Sequence, residues 1–286
     1  MGGSGQVGHA LASGHALSEL VVATRRDCDY IDPESLRLLI RRVRPHAIVN
    51  AAAYTAVDRA ESDREACHAV NAVAPGVLAE EARALGAKLV HYSTDYVFDG
   101  TKSAPYTEVD ATCPQNVYGA SKLAGEQAIV ASQCDGLVLR TSWVYSNHGA
   151  NFMKTMLRLG AERPQLRIVA DQHGAPTSAE AIAAATVTIL ERAAAGEWNS
   201  GVYHMTAAGE TTWHGFAQAI FAQAGGAAPE LTPIATAEYP TPAVRPANSV
   251  LSNERFAATF GFRLPHWQQQ LKDVMAARRA EVHADN

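Results

Sequence analysis

The chain has 286 residues, of which 47% are hydrophobic and 19% charged, a balance that excludes an intrinsically disordered protein. The net charge of -5 disfavours nucleic acid as a partner, and no apolar run is long enough to predict a membrane span. The four cysteines are widely spaced and form no C-x-x-C pair, so neither a disulfide framework nor a metal site is predicted, and a cytoplasmic location fits best.

Strand and helix signals alternate along the first half of the chain. After a glycine-rich start, helices are predicted through Val7 and Leu11 and then at 35–43, 65–85, 118–131, 152–159, 179–195, 213–224 and 267–279. Strands are predicted at 20–23, 47–50, 88–94, 137–140, 166–169 and 201–205. This alternation predicts an α/β fold with a doubly wound parallel sheet, while the prolines between 229 and 246 indicate a less regular lobe.

The chain opens on the glycine pattern Gly2-x-x-Gly5-x-x-Gly8. Glycines at this spacing allow a tight turn, close approach to a pyrophosphate, and close packing of the helix that follows. Such a loop normally follows a strand, but only Met1 precedes it here, so we expect the first strand of the sheet to be missing from this sequence. The other interpretation is a flexible start that is rich in Gly and Ser.

Arginine occupies the position where a dinucleotide site usually selects its cofactor. The residue about 20 positions after the glycine loop is Arg25, followed by Arg26, rather than an acid. A guanidinium pairs well with a 2′-phosphate, so the sequence favours NADPH. Asp27 and Asp29 lie close by, so NADH remains an alternative cofactor. The two arginines could also be simply solvated.

Tyr118 and Lys122 form a Tyr-x-x-x-Lys pair at the start of a predicted helix, so both side chains lie on one face. An ammonium group near the phenol should lower its pKa and suit it to acid-base work on a carbonyl. Thr94 ends a predicted strand, and in a parallel sheet that position points into the ligand crevice. A solvated helix face is the alternative for the pair taken alone.

Together these motifs resemble the extended short-chain dehydrogenase/reductase superfamily, with a Rossmann-like sheet. Longer blocks are similar to the dTDP-4-dehydrorhamnose reductase family, at residues 50–58, 91–98, 116–119, 140–145, 171–177 and 239–249. The resemblance runs from Gly2 to about Val274. It implies a dinucleotide-binding domain at 1–145, to which segments near 178–205 return, and a smaller substrate-binding lobe made mainly of 146–286.

The resemblance also implies a reaction and a set of site residues. The C4 ketone of dTDP-4-dehydro-6-deoxy-L-mannose would be reduced to dTDP-L-rhamnose with hydride from a reduced nicotinamide. Tyr118 would be the general acid, Lys122 would hold the nicotinamide ribose, and Thr94 would orient the ketone. The cofactor would lie against Gly2, Gly5, Gln6, Val7, Gly8, Arg25, Ala51, Ala52, Thr55, Tyr118 and Lys122. The sugar nucleotide would meet Asp95, Tyr96, Trp143 and Arg245, with Asn71 in a supporting polar role.

One departure from the family pattern bears on metal binding. Some members carry a glutamate two residues after the third glycine that helps to hold Mg²⁺ at a dimer contact, whereas this chain has Ala10. We therefore predict no metal site, and either a monomer or a homodimer. Two other functions stay open. One is a non-catalytic NADP-binding regulatory subunit of an S-adenosylmethionine synthetase, and the other is a nucleotide-sugar epimerase.

Overall fold

The computed structural model describes residues 1–14, 19–226 and 228–284. The α-helices, in chain order, are α1 (Gln6–Gly14), α2 (Pro33–Val43), α3 (Val57–Ala60), α4 (Arg64–His68), α5 (Ala74–Leu85), α6 (Val117–Ser132), α7 (Phe152–Glu162), α8 (Ala179–Ala194), α9 (Trp213–Ala224), α10 (Glu254–Phe260) and α11 (Trp267–Ala284). The strands are β1 (Ala47–Asn50), β2 (Lys88–Thr94), β3 (Asp135–Thr141), β4 (Val144–Tyr145), β5 (Gln165–Val169), β6 (His173–Gly174), β7 (Thr177–Ser178), β8 (Gly201–His204), β9 (Thr211–Thr212) and β10 (Glu230–Ile234). None of the helices in these ranges is long and apolar enough to cross a membrane.

A parallel sheet with the strand order β1-β2-β3-β8 forms the centre of the molecule. Its register places Thr94 beside Thr141, so the carboxyl ends of β2 and β3 lie side by side. Ligands bind at this edge in doubly wound sheets. The predicted Rossmann-like class is therefore confirmed.

Helices cover both faces of this sheet. Alternate residues along each strand point to opposite sides, and the apolar ones on each side pack against helices. Leu89 of β2 packs in one core with side chains from α2, α5 and α6, whereas Val90 packs in a second core with α8 and α10. The cap of α2 follows its sequence signal, since the Asp32 carboxylate accepts from the Glu34 N–H at 3.0 Å.

The strand predicted at 20–23 is wrong. These residues form no assigned strand, and Leu20, Val21 and Val22 are 41%, 60% and 43% exposed. Their side chains favour a strand, but a strand also needs a hydrogen-bonded neighbour. The adjacent residues 1–3 supply one such bond, from the Gly3 N–H to the Ala23 carbonyl at 3.1 Å.

Residues 1–3 lie along the free side of β1. The Met1 amino group donates to the Val49 carbonyl at 2.8 Å, and the Ala51 N–H donates to the Met1 carbonyl at 3.2 Å. The glycine loop follows this short segment directly and therefore lies at the carboxyl end of the sheet.

The single helix predicted at 65–85 consists of α4, a π-helical turn at Ala69–Val73, and α5. Gly86 ends it in the left-handed conformation, with φ of 67°. π turns within helices occur frequently at functional sites. Here the turn carries Asn71, which is buried.

A third apolar core forms in the later part of the chain from α7, α9 and α11, with β5 and β10 beside them. Phe216, Trp267 and Leu271 are buried at its centre. The proline-rich segment is more regular than expected, because β10 pairs in parallel with β5 despite Pro233. The division of the chain near residue 145 stays a prediction.

Candidate active site

The glycine loop packs against the end of β1 more closely than any side chain would allow. Gly2 has a φ of +77°, and a Cβ there would lie 2.5 Å from the Ala52 nitrogen. A Cβ on Gly8 would lie 2.1 Å from the Gly2 carbonyl oxygen. These glycines are therefore required for the close approach of α1 to the loop.

The first turn of α1 presents its backbone amides at this loop. Among the described residues, the N–H groups of Gln6, Val7 and Gly8 have no hydrogen-bond acceptor. Such amides, at the positive end of a helix dipole, suit a phosphate. The loop residues thus fit the pyrophosphate of a dinucleotide, with the Val7 side chain turned into the apolar core behind them.

Gln6 ties the glycine loop to the later part of the chain. Its amide nitrogen donates to the Val144 carbonyl at 3.4 Å, while its oxygen accepts from Asn151 at 2.8 Å and from Ser146 at 3.2 Å. Through these bonds the side chain of Gln6 positions the loop.

Ala51, Ala52 and Thr55 follow β1 and line the same edge of the sheet. Asn71 holds this segment in place, because its amide accepts from the Tyr54 N–H at 2.8 Å and donates to the Tyr54 carbonyl at 3.0 Å. Asn71 thus fixes the backbone at Tyr54, and its supporting role in the site stays a prediction. Thr55 is exposed.

The end of β2 brings Thr94, Asp95 and Tyr96 to this edge. The Thr94 hydroxyl donates to Asp95 Oδ1 at 2.9 Å, and both residues are buried. Asp95 Oδ2 is a buried oxygen without a hydrogen-bond partner among the described residues. Burial raises the pKa of Asp95 to about 6, and the nearby Ser249 and Thr94 hydroxyls act in the opposite direction. An unpartnered carboxylate oxygen fits a ligand hydroxyl.

Tyr118 stands on the first turn of α6, next to Thr94 and Tyr96. Its ring meets that of Tyr96 edge-on at a centroid distance of 5.8 Å. Burial raises the pKa of Tyr118 above its usual range, with the Thr94 hydroxyl acting in the opposite direction and Asp95 adding to the rise. The phenol is therefore protonated at neutral pH and can give a proton.

Lys122 does not reach Tyr118 in the way that the sequence suggests. Its Nζ donates to the Tyr92 carbonyl at 2.6 Å and lies 3.1 Å from His91 Nε2. The expected lowering of the pKa of Tyr118 by Lys122 is wrong for this structure, where that pKa is raised. The i, i+4 spacing fixes the helix face, but the strand behind the helix decides where the flexible lysine ends.

Trp143 forms part of an aromatic wall. Its indole stacks on that of Trp213, with centroids 3.5 Å apart and planes 6° from parallel. Trp143 has a φ of 48°, an uncommon conformation for a bulky residue, and a Cβ on Gly174 would lie 2.4 Å from its ring. Backbone strain of this kind clusters at functional sites.

Arg245 is already paired. It holds the Asp58 carboxylate with two nitrogens, at 2.9 Å and 2.8 Å, and the Ala243 N–H also donates to that carboxylate. Any contact of Arg245 with a diphosphate would therefore need its remaining N–H groups or a change of partner.

Arg25 is exposed in the turn after residue 23, close to the glycine loop. The competing acid Asp27 is folded into the same turn, where its carboxylate accepts from the Thr24 N–H at 2.8 Å and from the Thr24 hydroxyl at 2.9 Å. This arrangement leaves Arg25 as the better-placed group for a 2′-phosphate.

Three contributors were missed by the sequence reasoning. His91 and Asp58 lie inside the family-like blocks, so those blocks could have directed attention to them. Trp213 gave no signal, because its partner Trp143 lies 70 residues upstream and only the fold brings the rings together.

Comparisons with known proteins agree with this architecture. The family model described as "RmlD substrate binding domain" matches residues 1–280. A dTDP-4-dehydrorhamnose reductase of Burkholderia thailandensis is 53% identical over 279 residues, covering 93% of this chain and 94% of the relative. One of Salmonella typhimurium is 44% identical over 284 residues, covering 96% and 95%.

Two crystal structures show the same fold. A dTDP-4-dehydrorhamnose reductase of Clostridium acetobutylicum has a TM-score of 0.92 at 34% identity, covering 97% of this chain and 98% of its own. One of Bacillus anthracis, in complex with NADP, has a TM-score of 0.91 at 33% identity, covering 96% and 97%. The chain belongs to the dTDP-4-dehydrorhamnose reductase family.

Proposed function

We propose that this protein reduces the C4 ketone of dTDP-4-dehydro-6-deoxy-L-mannose to dTDP-L-rhamnose, with NADPH as the reductant. The observation that carries the proposal is the grouping of a protonated phenol, a hydroxyl and an unpartnered carboxylate oxygen at the end of β2, from Tyr118, Thr94 and Asp95. The reductases of Burkholderia thailandensis and Salmonella typhimurium support the substrate class.

NADPH supplies the hydride when it is bound. Tyr118 gives its proton to the ketone oxygen as carbon C4 is reduced, so that a hydroxyl forms and charge does not build up on the oxygen. The phenol keeps its proton until that moment, because partial burial raises its pKa. Thr94 orients the ketone by rotating its hydroxyl away from Asp95 Oδ1.

Asp95 Oδ2 accepts a hydrogen bond from a hydroxyl group of the sugar, because a buried carboxylate oxygen without a partner is costly. Trp143 lies over the sugar ring and is held flat by its stack on Trp213. Tyr96 and Arg245 complete the sugar-nucleotide side. We place the cofactor in 1–145 with the return segment near 178–205, and the sugar lobe mainly in 146–286.

The glycine loop and Arg25 hold the cofactor. The free amides of Gln6, Val7 and Gly8 bind the pyrophosphate, and Arg25 pairs with the 2′-phosphate. This preference for NADPH over NADH is supported by the related reductase of Bacillus anthracis, which binds NADP. We retain a cytoplasmic enzyme, monomeric or homodimeric and without a metal, as a prediction.

The test is a coupled assay that follows NADPH oxidation with freshly made dTDP-4-dehydro-L-rhamnose, together with identification of the sugar product. Formation of dTDP-L-rhamnose is the expected result. Tight NADPH binding with no oxidation would instead favour the regulatory subunit. Interconversion of sugar epimers without net NADPH consumption would favour the epimerase.

A further inference from the structure

A chain of buried polar groups runs behind the sheet edge to Lys122. The Tyr30 hydroxyl donates to Asn50 Oδ1 at 2.9 Å, Asn50 Nδ2 faces His91 Nδ1 at 3.0 Å, and His91 Nε2 faces Lys122 Nζ at 3.1 Å. Asn50, His91 and Lys122 are each 1% exposed, so water does not compete for these contacts. The proposed reaction gives no task to Tyr30, Asn50 or His91.

The orientation of the Asn50 amide is fixed by its surroundings. The Ala52 backbone N–H, which can only donate, lies 3.2 Å from Asn50 Oδ1, and the Tyr30 hydroxyl donates to the same oxygen. Asn50 Nδ2 must therefore be the atom that faces His91. Since an amide nitrogen only donates, His91 Nδ1 accepts, and the ring proton of the neutral imidazole lies on Nε2.

His91 consequently points an N–H group at Lys122. An ammonium has donors only, so a charged Lys122 would place two donors 3.1 Å apart. A neutral amine has a lone pair that accepts from His91 and still has N–H groups for the Tyr92 carbonyl at 2.6 Å. The hydrogen-bond inventory is satisfied only by the neutral form.

We propose that His91, oriented by Asn50, is a positioning residue that favours the neutral amine of Lys122 in the free protein, so that at alkaline pH NADPH binding takes up a proton at Lys122. The inference rests on the proposed function, because it needs the cofactor to lie beside Lys122. The phosphates of a dinucleotide bring negative charge to the site, and its ribose hydroxyls can accept from an ammonium. Both effects raise the pKa of Lys122 in the complex.

The charged and titratable groups around Lys122 are consistent with this balance. Burial lowers the pKa of Lys122 to about 8, while Glu126 on the next turn of α6 and the Cys67 thiol of α4 act in the opposite direction. Glu126 is itself paired with Arg140 of β3. Burial, and then Lys122, lower the pKa of His91 well below its usual value, so His91 stays neutral throughout.

The proposal predicts a pH dependence of cofactor affinity. A group whose pKa is about 8 in the free protein and higher in the complex takes up its proton on binding above that lower pKa. NADPH should thus bind about tenfold more weakly at pH 9 than at pH 7. Calorimetry at pH 8, in buffers that differ in ionisation enthalpy, should show uptake of about half a proton.

Variants separate His91 from a purely structural role. Asn50→Asp places a carboxylate opposite Nδ1, which moves the ring proton to Nδ1 and lets Nε2 accept from a charged Lys122, so the pH dependence should disappear. In His91→Gln the glutamine amide oxygen can accept from a charged Lys122, so the pH dependence of NADPH affinity should be lost here too. Tyr30→Phe is the matched control, because the Ala52 N–H still fixes Asn50 and the pH dependence should remain.

A second readout needs no cofactor. Nitrogen-15 spectra of the histidine ring in the free protein should show the His91 proton on Nε2, and a proton on Nδ1 would overturn the proposal. A wild-type affinity that is the same at pH 7 and pH 9 would also overturn it. NADPH binding with these properties but without sugar reduction would overturn the proposed function alone, and absence of NADPH binding would overturn both.

Discussion

Removal of either partner of the buried ion pair between Glu126 and Arg140 should strongly destabilise this sheet edge. Arg140 donates to the carboxylate of Glu126 through Nη2 at 2.7 Å and through Nε at 2.9 Å, and the two side chains are only 6% and 4% exposed. Ser93 donates to the same carboxylate, and His204 lies 3.4 Å from the guanidinium. The pair therefore ties α6 to β3 directly behind Thr94.

Removing one partner leaves an uncompensated charge in the core, which costs about 3–5 kcal/mol. Arg140→Met and Glu126→Gln should each lower the free energy of unfolding by about this amount in urea titrations, and Tm by roughly 10 °C. The control is Arg158→Met, whose partner Glu162 lies in an exposed pair at 61% and 50%, so that its loss should cost at most about 0.5 kcal/mol. If Arg140→Met were no more destabilising than Arg158→Met, the reasoning would be refuted.

Three further changes test other parts of the account. Gly8→Ala should weaken NADPH binding at least about 100-fold, because its Cβ meets a backbone oxygen at 2.1 Å, whereas Gly14→Ala, with no atom within 4 Å, should leave the affinity unchanged in the same titration. Asp95→Asn should gain stability relative to wild type as the pH rises from 4 to 7, by at most about 3 kcal/mol. The reason is that the pKa of this buried carboxyl is raised to about 6, so that ionising it costs folding energy, and an unchanged difference in urea midpoints would contradict this. Arg25→Ala should reduce the preference for NADPH over NADH by at least about tenfold in steady-state kinetics, and Arg26→Ala should change it much less, so equal effects would rule out a specific 2′-phosphate contact.

Local signals predicted the helices well because their ends are set by nearby residues. Asp32 and Pro33 start α2, and Gly86 ends α5 in the left-handed conformation that glycine favours. The strand at 20–23 failed because a strand is a pairwise structure, and its neighbour contributes one hydrogen bond. No local pattern contains that information.

The same distinction applies to the site. Tyr118 and Thr94 could be placed from the sequence, since a helix start and a strand end define where they lie. The direction of Lys122 could not, because it is decided by His91 and the Tyr92 carbonyl on another element.

The contacts of Arg245 also could not be predicted from the sequence. Its sequence context suggests a contact with phosphate, yet its guanidinium is engaged by Asp58, which is 187 residues away along the chain.

The central claim is that Tyr118 is the proton donor in the reduction of a sugar ketone. Removal of its hydroxyl group tests this claim most directly. Tyr118→Phe should lower the rate of NADPH oxidation with dTDP-4-dehydro-L-rhamnose at least about 100-fold and leave the Kd for NADPH within about threefold. The matched control Tyr239→Phe removes a hydroxyl from a residue that is 61% exposed and should keep the wild-type rate. Near wild-type turnover by Tyr118→Phe would contradict the account.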